Sequence, residues 1–87
     1  MKISVELTLT PLKDDFRTSI KEFIKTLRGS NFIIKETPLS TQIYGDYDTL
    51  MKYLTSEIKV LFEQEMACMM HIKICLLYTS DAADDGL

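Results

Sequence analysis

The stretch FIIKETPLSTQIYG, residues 32–45, decides how this chain folds. Its first six residues are mostly β-branched or aromatic, which is typical of a strand. Pro38 and Leu39 then make a short connection. The residues that follow alternate between two faces, with Thr41, Ile43 and Gly45 on one face and Ser40, Gln42 and Tyr44 on the other. Two strand patterns so close together predict a β-hairpin.

A helix is predicted on each side of this hairpin, because apolar residues recur there at helical spacing. We expect Asp14 or Asp15 to cap the first helix and Gly29 to end it in the left-handed conformation. For the second helix, Asp46 and Asp48 are candidate caps. The apolar stripes consist of Phe16, Ile20, Phe23, Ile24 and Leu27 in the first helix and of Leu50, Met51, Leu54, Ile58, Leu61 and Phe62 in the second.

The outermost elements are two further strands. Residues 3–10 alternate between apolar and polar side chains, and Pro11 ends the pattern because proline cannot donate to a strand ladder. Residues 69–74 alternate in the same way. The order βαββαβ with right-handed crossovers predicts a ferredoxin-like α+β fold, a two-layer sandwich in which both helices cover one face of a four-stranded antiparallel sheet. The expected strand order is 4-1-3-2, which puts the first strand in the centre.

The sheet face opposite the helices is predicted to be open and to carry polar side chains. A surface that mixes hydroxyls, an amide, a carboxylate and an aromatic ring suits a polar heteroaromatic molecule. Glu6 would accept from an aminopyrimidine or balance a cationic ring. The alternative is an ordinary solvated face, or one that another subunit covers. The residues expected there are Ser4, Glu6, Thr8 and Thr10 on strand 1, Ser40, Gln42 and Tyr44 on strand 3, and Met69, His71 and Lys73 on strand 4.

The chain has 87 residues, the size of one small domain, and its end differs from the rest. The sequence CLLYTSDAADD, residues 75–85, resembles the in-frame translation of a transposon-end sequencing adapter, a contaminant of assembled genomes. We therefore expect a ferredoxin-like domain at residues 1–74 and a non-native tail without a domain at residues 75–87. A genuine acidic tail is the alternative.

The charge balance of the expected domain excludes two classes of partner. Removing the tail's three aspartates from the 13 acidic residues leaves 10 acidic and 10 basic residues, so the net charge changes from −3 to 0. Neither a nucleic-acid nor a membrane partner is expected to be held by charge. The alternating N-terminus is unlike a signal peptide, and Cys68 would be the domain's lone cysteine, so a cytoplasmic location is expected.

The chemistry-bearing residues do not form a catalytic or metal-binding pattern, and no cofactor is expected. His71 is the lone histidine, and Cys68 would lie on the opposite side of the strand. Asp46 and Asp48 are better explained as helix caps than as metal ligands. A phosphatase-like enzyme would need a cationic loop after the first strand, where Asp14 and Asp15 stand instead.

Three segments resemble the thiamine-binding protein family, the YkoF-like group. They are ELTLTPL at residues 6–12, IKEFIKTL at residues 20–27 and PLSTQIYGDYD at residues 38–48, and the resemblance spans residues 3–74. The resemblance implies a ferredoxin-like fold, assembly into dimers or tetramers, and non-catalytic binding of thiamine or its hydroxymethylpyrimidine moiety. Carried over by position, the ligand-binding candidates are Ser40 and Thr41, then Glu6 and Thr8, with Thr10 and Gln42 on the same two strands.

Two readings of these residues remain open at this point. Hydroxyls that follow a proline turn often satisfy local backbone groups, so Ser40 and Thr41 have a structural explanation as well. The whole domain also fits a structural or regulatory homo-oligomer with no small ligand, in which the open face only joins subunits. Gly45 is interpreted as a bend or a close-packing position, because no glycine-rich loop surrounds it.

Overall fold

Four strands and two helices follow one another in the order βαββαβ. The computed structural model describes residues 1–12, 17–64 and 67–77. The predicted ferredoxin-like α+β fold is confirmed. The elements are β1 (Lys2–Pro11), α1 (Arg17–Arg28), β2 (Ile33–Glu36), β3 (Thr41–Asp46), α2 (Tyr47–Glu63) and β4 (Cys68–Leu77).

The sheet has the strand order β2-β3-β1-β4, and every neighbouring pair is antiparallel. This is the predicted order, and it places β1 between β3 and β4. β1 pairs with β3 over residues 2–7 but with β4 over residues 2–11. The second half of β1 therefore has a strand on one side alone within the described sheet.

The core lies between the sheet and the two helices. On β1 the alternating residues Ile3, Val5 and Leu7 are buried, and Leu9 packs against them while partly exposed. This alternation confirms the predicted inner face. The helices contribute the leucines and Phe23 expected from their stripes, whereas Phe62 is 47% exposed and Phe16 lies outside the described residues. The other buried apolar residues are Phe23, Leu27, Ile43, Leu50, Leu54 and Leu61.

The predicted hairpin joins β2 to β3 through residues 37–40. The Thr37 N–H donates to the Ser40 carbonyl oxygen at 2.9 Å. The Thr37 hydroxyl accepts from the N–H groups of Leu39 and Ser40, at 3.2 and 3.1 Å, and donates to the Ser40 carbonyl. It is thus the Thr37 hydroxyl that satisfies the turn backbone, which leaves the Ser40 side chain available for another partner.

The helix ends differ from the prediction in two details. Gly29 does not adopt the left-handed conformation, so that expectation is wrong. Instead, α1 ends at Arg28, and the Gly29 N–H donates to the carbonyls of Lys25 and Thr26, both at 3.1 Å. A tightened last turn of this kind satisfies the terminal carbonyls without a positive φ.

Asp46 occupies the N-cap position of α2, as predicted, but its side chain makes no capping hydrogen bond. Its carboxylate accepts from the N-terminal ammonium of Met1 at 3.1 Å, and the Tyr47 N–H donates to the Met1 carbonyl at 2.9 Å. Asp48 lies in the first turn of α2. The proposed caps Asp14 and Asp15 lie outside the described residues. In the part of the chain that is described, no helix is long and apolar enough to cross a membrane.

β4 continues three residues past the predicted end of the domain. Cys75, Leu76 and Leu77 pair with Ser4, Ile3 and Lys2 of β1. Strand pairing uses backbone groups, and apolar side chains are compatible with it, so a strand propagates into this segment whatever the segment's origin. Residues 78–87 lie outside the described residues, and the foreign origin of the tail stays a prediction.

Candidate functional site

One row of side chains crosses all four strands on the face that the helices leave uncovered. Glu6 lies opposite Gln42 of β3 and opposite Lys73 of β4, and Gln42 lies opposite Lys35 of β2. The buried neighbours of Glu6 on β1 point to the helices, so Glu6 itself points away from them. We call Lys35, Gln42, Glu6 and Lys73 the Glu6 row.

The Glu6 carboxylate is held in place but remains accessible. The Ser40 hydroxyl donates to its Oε2 atom at 3.0 Å, and the Gln42 amide Nε2 donates to the same oxygen at 3.4 Å. The Lys73 Nζ lies 3.9 Å from the other oxygen, Oε1, and the Glu6 side chain is 34% exposed. Three strands therefore fix one carboxylate at the centre of the open face.

Tyr44 extends this arrangement along β3. Its hydroxyl donates to the Gln42 Oε1 atom at 2.8 Å, which sets the orientation of the Gln42 amide, with its NH₂ group toward Glu6. The Lys35 Nζ lies 5.5 Å from the centroid of the Tyr44 ring, within cation–π distance. Hydrogen bonds thus run from Tyr44 through Gln42 to Glu6, with an aromatic ring at one end.

The electrostatics of the row keep Glu6 ionised. Hydrogen bonds from Ser40 and then from Gln42 lower the pKa of Glu6 from its usual value, partial burial opposes this, and the Lys73 charge adds to the lowering. The group is therefore a carboxylate acceptor at neutral pH rather than an acid. Such a carboxylate binds amino groups, protonated ring nitrogens or cationic rings through charge-assisted contacts.

The six residues predicted for the site do not all meet. Glu6, Ser40 and Gln42 form one hydrogen-bonded cluster. Thr8 and Thr10 share the open face, opposite His71 and Met69 of β4, in the part of β1 that extends past β3.

Thr41 points to the other side of the sheet from Glu6 and Gln42, but it lines a cavity of about 210 Å³ together with Thr8 and Ser40. It lies opposite Leu7, is 7% exposed and points toward the helical layer. The structure therefore brings Ser40 to the Glu6 row and takes Thr41 away from it, because neighbouring residues on a strand point to opposite faces.

Three contributors were not among the predicted site residues. Tyr44 and Lys73 were expected on the open face, Tyr44 as a stacking ring, and Lys35 was not placed there. The signal for Lys35 is the hairpin register, in which Glu36 lies opposite Thr41 and Lys35 therefore lies opposite Gln42. Counting residue pairs outward from the four-residue turn would have placed Lys35 opposite Gln42.

The remaining reactive groups do not assemble around this row. Within residues 1–12, 17–64 and 67–77, no three His, Cys, Asp or Glu residues lie close enough together to hold a metal ion. Cys68 lies opposite Pro11, whereas His71 lies opposite Thr8, so the two point to opposite faces of β4. Burial raises the pKa of the Cys68 thiol, which keeps it protonated at neutral pH.

Comparisons with known proteins place this fold beside several solved structures. No family model and no curated protein matches the chain. A Thermotoga maritima protein provisionally described as a thiamine biosynthesis/salvage protein has a TM-score of 0.77 and 18% identity, covering 98% of this chain and 97% of its own. A Streptococcus pneumoniae protein has a TM-score of 0.77 and 25% identity, with 98% and 96% covered.

A third neighbour is a domain of unknown function, DUF77, from Bacillus cereus. It has a TM-score of 0.72 and 15% identity, covering 94% of this chain and 86% of its own. At identities this low, the likenesses establish a shared fold over nearly the whole chain. One of the neighbours carries a thiamine-related description.

Proposed function

We propose that this protein binds thiamine or its hydroxymethylpyrimidine moiety on the open face of the sheet and catalyses no reaction. In this role it acts as an oligomeric carrier or sequestering module. The observation that carries the proposal is the Glu6 carboxylate, which Ser40 and Gln42 orient on a face that the helices leave uncovered. The description of the Thermotoga maritima structure supports the choice of ligand class.

The geometry suits an aminopyrimidine because Glu6 has one oxygen engaged and one that can still accept. Oε2 accepts from Ser40 and Gln42, whereas the Lys73 ammonium lies 3.9 Å from Oε1, beyond hydrogen-bond distance. An exocyclic amino group would donate to Oε1. The carboxylate would also balance the positive charge of a thiazolium ring, and the half-buried Tyr44 ring offers a flat surface beside it.

Isothermal titration calorimetry with thiamine and with hydroxymethylpyrimidine tests the proposal. We expect saturable binding by the wild-type protein and a loss of affinity on the order of tenfold or more for Glu6→Gln, which keeps the shape and removes the charge. Glu36→Gln is the matched control. Glu36 also has a lowered pKa, but its partner is Arg28 of α1, at 2.6 and 2.7 Å, away from the open face. No saturation at millimolar ligand, or equal losses in the two variants, would contradict the proposal.

A structural or regulatory homo-oligomer without a small ligand is the second candidate. It is favoured by apolar side chains on the same face, where Ile33 is 68% exposed and Met69 is 47% exposed. In this case a second subunit would cover the Glu6 row. Light scattering tests this candidate, since a stable monomer excludes it, whereas an oligomer that binds thiamine saturably favours the first candidate.

A further inference from the structure

The open face of the sheet carries more positive than negative charge, although the chain as a whole is acidic. The net charge of the sequence is −3. Among the described strand residues that share the face of Glu6, however, lysines outnumber carboxylates. They are Lys2, Lys35 and Lys73 against Glu6 and Asp46. An excess of one sign of charge on one face attracts ligands of the opposite sign. The open face therefore favours a ligand that carries a negatively charged group.

Lys35 is the lysine of the Glu6 row that has no carboxylate partner among the described residues. Lys73 lies 3.9 Å from Glu6, whereas none of the ion pairs in the described part of the chain includes Lys35. The adjacent carboxylate, Glu36, points to the other face and pairs with Arg28 at 2.6 Å. The Lys35 side chain is exposed. Its ammonium is therefore available to an anion on the ligand.

The position of this ammonium creates a conflict for thiamine itself. In the proposed binding mode the thiamine amino group donates to Glu6, and the cationic thiazolium ring lies against the flat surface of Tyr44. The Lys35 Nζ already lies over that ring, 5.5 Å from its centroid. Two cations over one ring repel each other, so the lysine must move away. Thiamine therefore binds at the cost of the contact between Lys35 and Tyr44.

A phosphate ester on the ligand removes this conflict. A phosphate on the hydroxyethyl arm of the thiazolium ring lies at the far end of the molecule from the amino group. Lys35 lies two strands away from Glu6, which is a backbone separation of about 10 Å at the usual strand spacing. On binding, the long Lys35 side chain would leave the Tyr44 ring and pair with the phosphate. Lysine makes such charge-assisted contacts as a point charge.

We propose that the Glu6 row binds the phosphate ester of thiamine in preference to thiamine, with Glu6 on the aminopyrimidine and Lys35 on the phosphate. This inference rests on the proposed function, because it concerns the same site. The row and the ligand then have complementary charges at both ends. Hydroxymethylpyrimidine phosphate carries its phosphate close to the pyrimidine ring, so it spans the distance from Glu6 to Lys35 less well. The preference for a phosphate should therefore be larger for the longer ligand.

Isothermal titration calorimetry with thiamine and with thiamine monophosphate tests the inference. We expect the wild type to bind the monophosphate about three- to tenfold more tightly. Lys35→Gln should abolish this preference and leave thiamine affinity unchanged or higher, because the ammonium no longer competes for the Tyr44 ring. Lys52→Gln is the matched control. Lys52 is exposed on α2, on the other side of the sheet, so its loss removes the same charge and should preserve the preference.

Three results would overturn the inference. They are equal wild-type affinities for the two ligands, equal losses of monophosphate affinity in Lys35→Gln and Lys52→Gln, and an equal gain from the phosphate when hydroxymethylpyrimidine and its phosphate are compared. A lack of saturable binding for every one of these ligands would contradict the proposed function as well. Saturable binding of thiamine without a preference for its phosphate would contradict this inference alone.

The ionic strength gives a second test, which needs only the wild-type protein. Salt screens interactions between exposed charges, and the screening length falls from about 10 Å at 0.1 M to about 3 Å at 1 M. The ratio of the monophosphate affinity to the thiamine affinity should therefore fall as sodium chloride is raised across this range. A ratio that does not change with salt would mean that the ammonium of Lys35 does not select the phosphate by its charge.

Discussion

Replacing Gly45 with alanine would place a methyl group inside an occupied space. The added Cβ would lie 2.7 and 2.9 Å from two carbons of the Phe32 ring and 3.5 Å from the Cβ of Leu50. Carbon atoms that are not bonded to each other normally stay about 3.5–4.0 Å apart. The backbone conformation is not the obstacle, because Gly45 lies in β3 with no positive φ. The cost is therefore steric.

The magnitude follows from what holds the Phe32 ring. The ring packs against the core and lies 5.3 Å, centroid to centroid, from the ring of Tyr53, so a shift disturbs that contact as well. Overpacking of this kind costs about 1–3 kcal/mol. Alanine regains about 0.5–1 kcal/mol relative to glycine in a strand. We expect a net loss of about 1–2 kcal/mol, which lowers the Tm of a domain this size by roughly 5–15 °C.

Urea denaturation followed by circular dichroism measures this loss, and the second glycine provides the control. In Gly29→Ala the new Cβ would meet the Thr26 and Lys25 carbonyl oxygens at 3.6 and 3.7 Å, ordinary contacts, so that variant should be as stable as wild type or slightly more stable.

A double-mutant cycle identifies the cause of the loss. The loss of unfolding free energy caused by Gly45→Ala should be smaller in a Phe32→Leu background, because that substitution removes the ring carbons that the new Cβ meets. If Gly45→Ala is neutral, or costs the same in both backgrounds, the glycine is not retained to make room for Phe32.

Other perturbations test the core, the acid response and the hydrogen-bonded row. Leu54→Ala should destabilise the fold by about 2–5 kcal/mol in urea denaturation, because Leu54 is fully buried, whereas Leu39→Ala at the 84% exposed hairpin tip should change little. The pKa of Glu6 and that of Glu36 lie below the usual 4.5, so each contributes stability above that pH that is lost as the pH falls through the lowered value. Glu36→Gln should therefore lose less stability than wild type between pH 5 and pH 3 in acid titrations. Tyr44→Phe removes the donor that orients Gln42 and should weaken thiamine binding less than Glu6→Gln does, as measured by calorimetry.

The sequence was sufficient to predict which side chains point to each face of the sheet, because strand alternation is a local signal. Ile3, Val5 and Leu7 point inward and Glu6 outward for the same reason, and the short link at Pro38 determined the hairpin. These features depend on side chains within a few residues of each other. Ser40 and Thr41 point to opposite faces for the same reason, although both line one cavity with Thr8.

Contacts between segments that are distant in the sequence could not be predicted from the sequence alone. The Asp46 carboxylate has the chemistry of a helix cap, yet it binds the Met1 ammonium, which the β1–β3 pairing brings beside it. The alternation of Ile72 and Ile74 predicts burial, but how far they are covered depends on where α2 lies over the sheet. The meeting of Ser40 and Glu6, which are 34 residues apart in sequence, likewise depends on strand order.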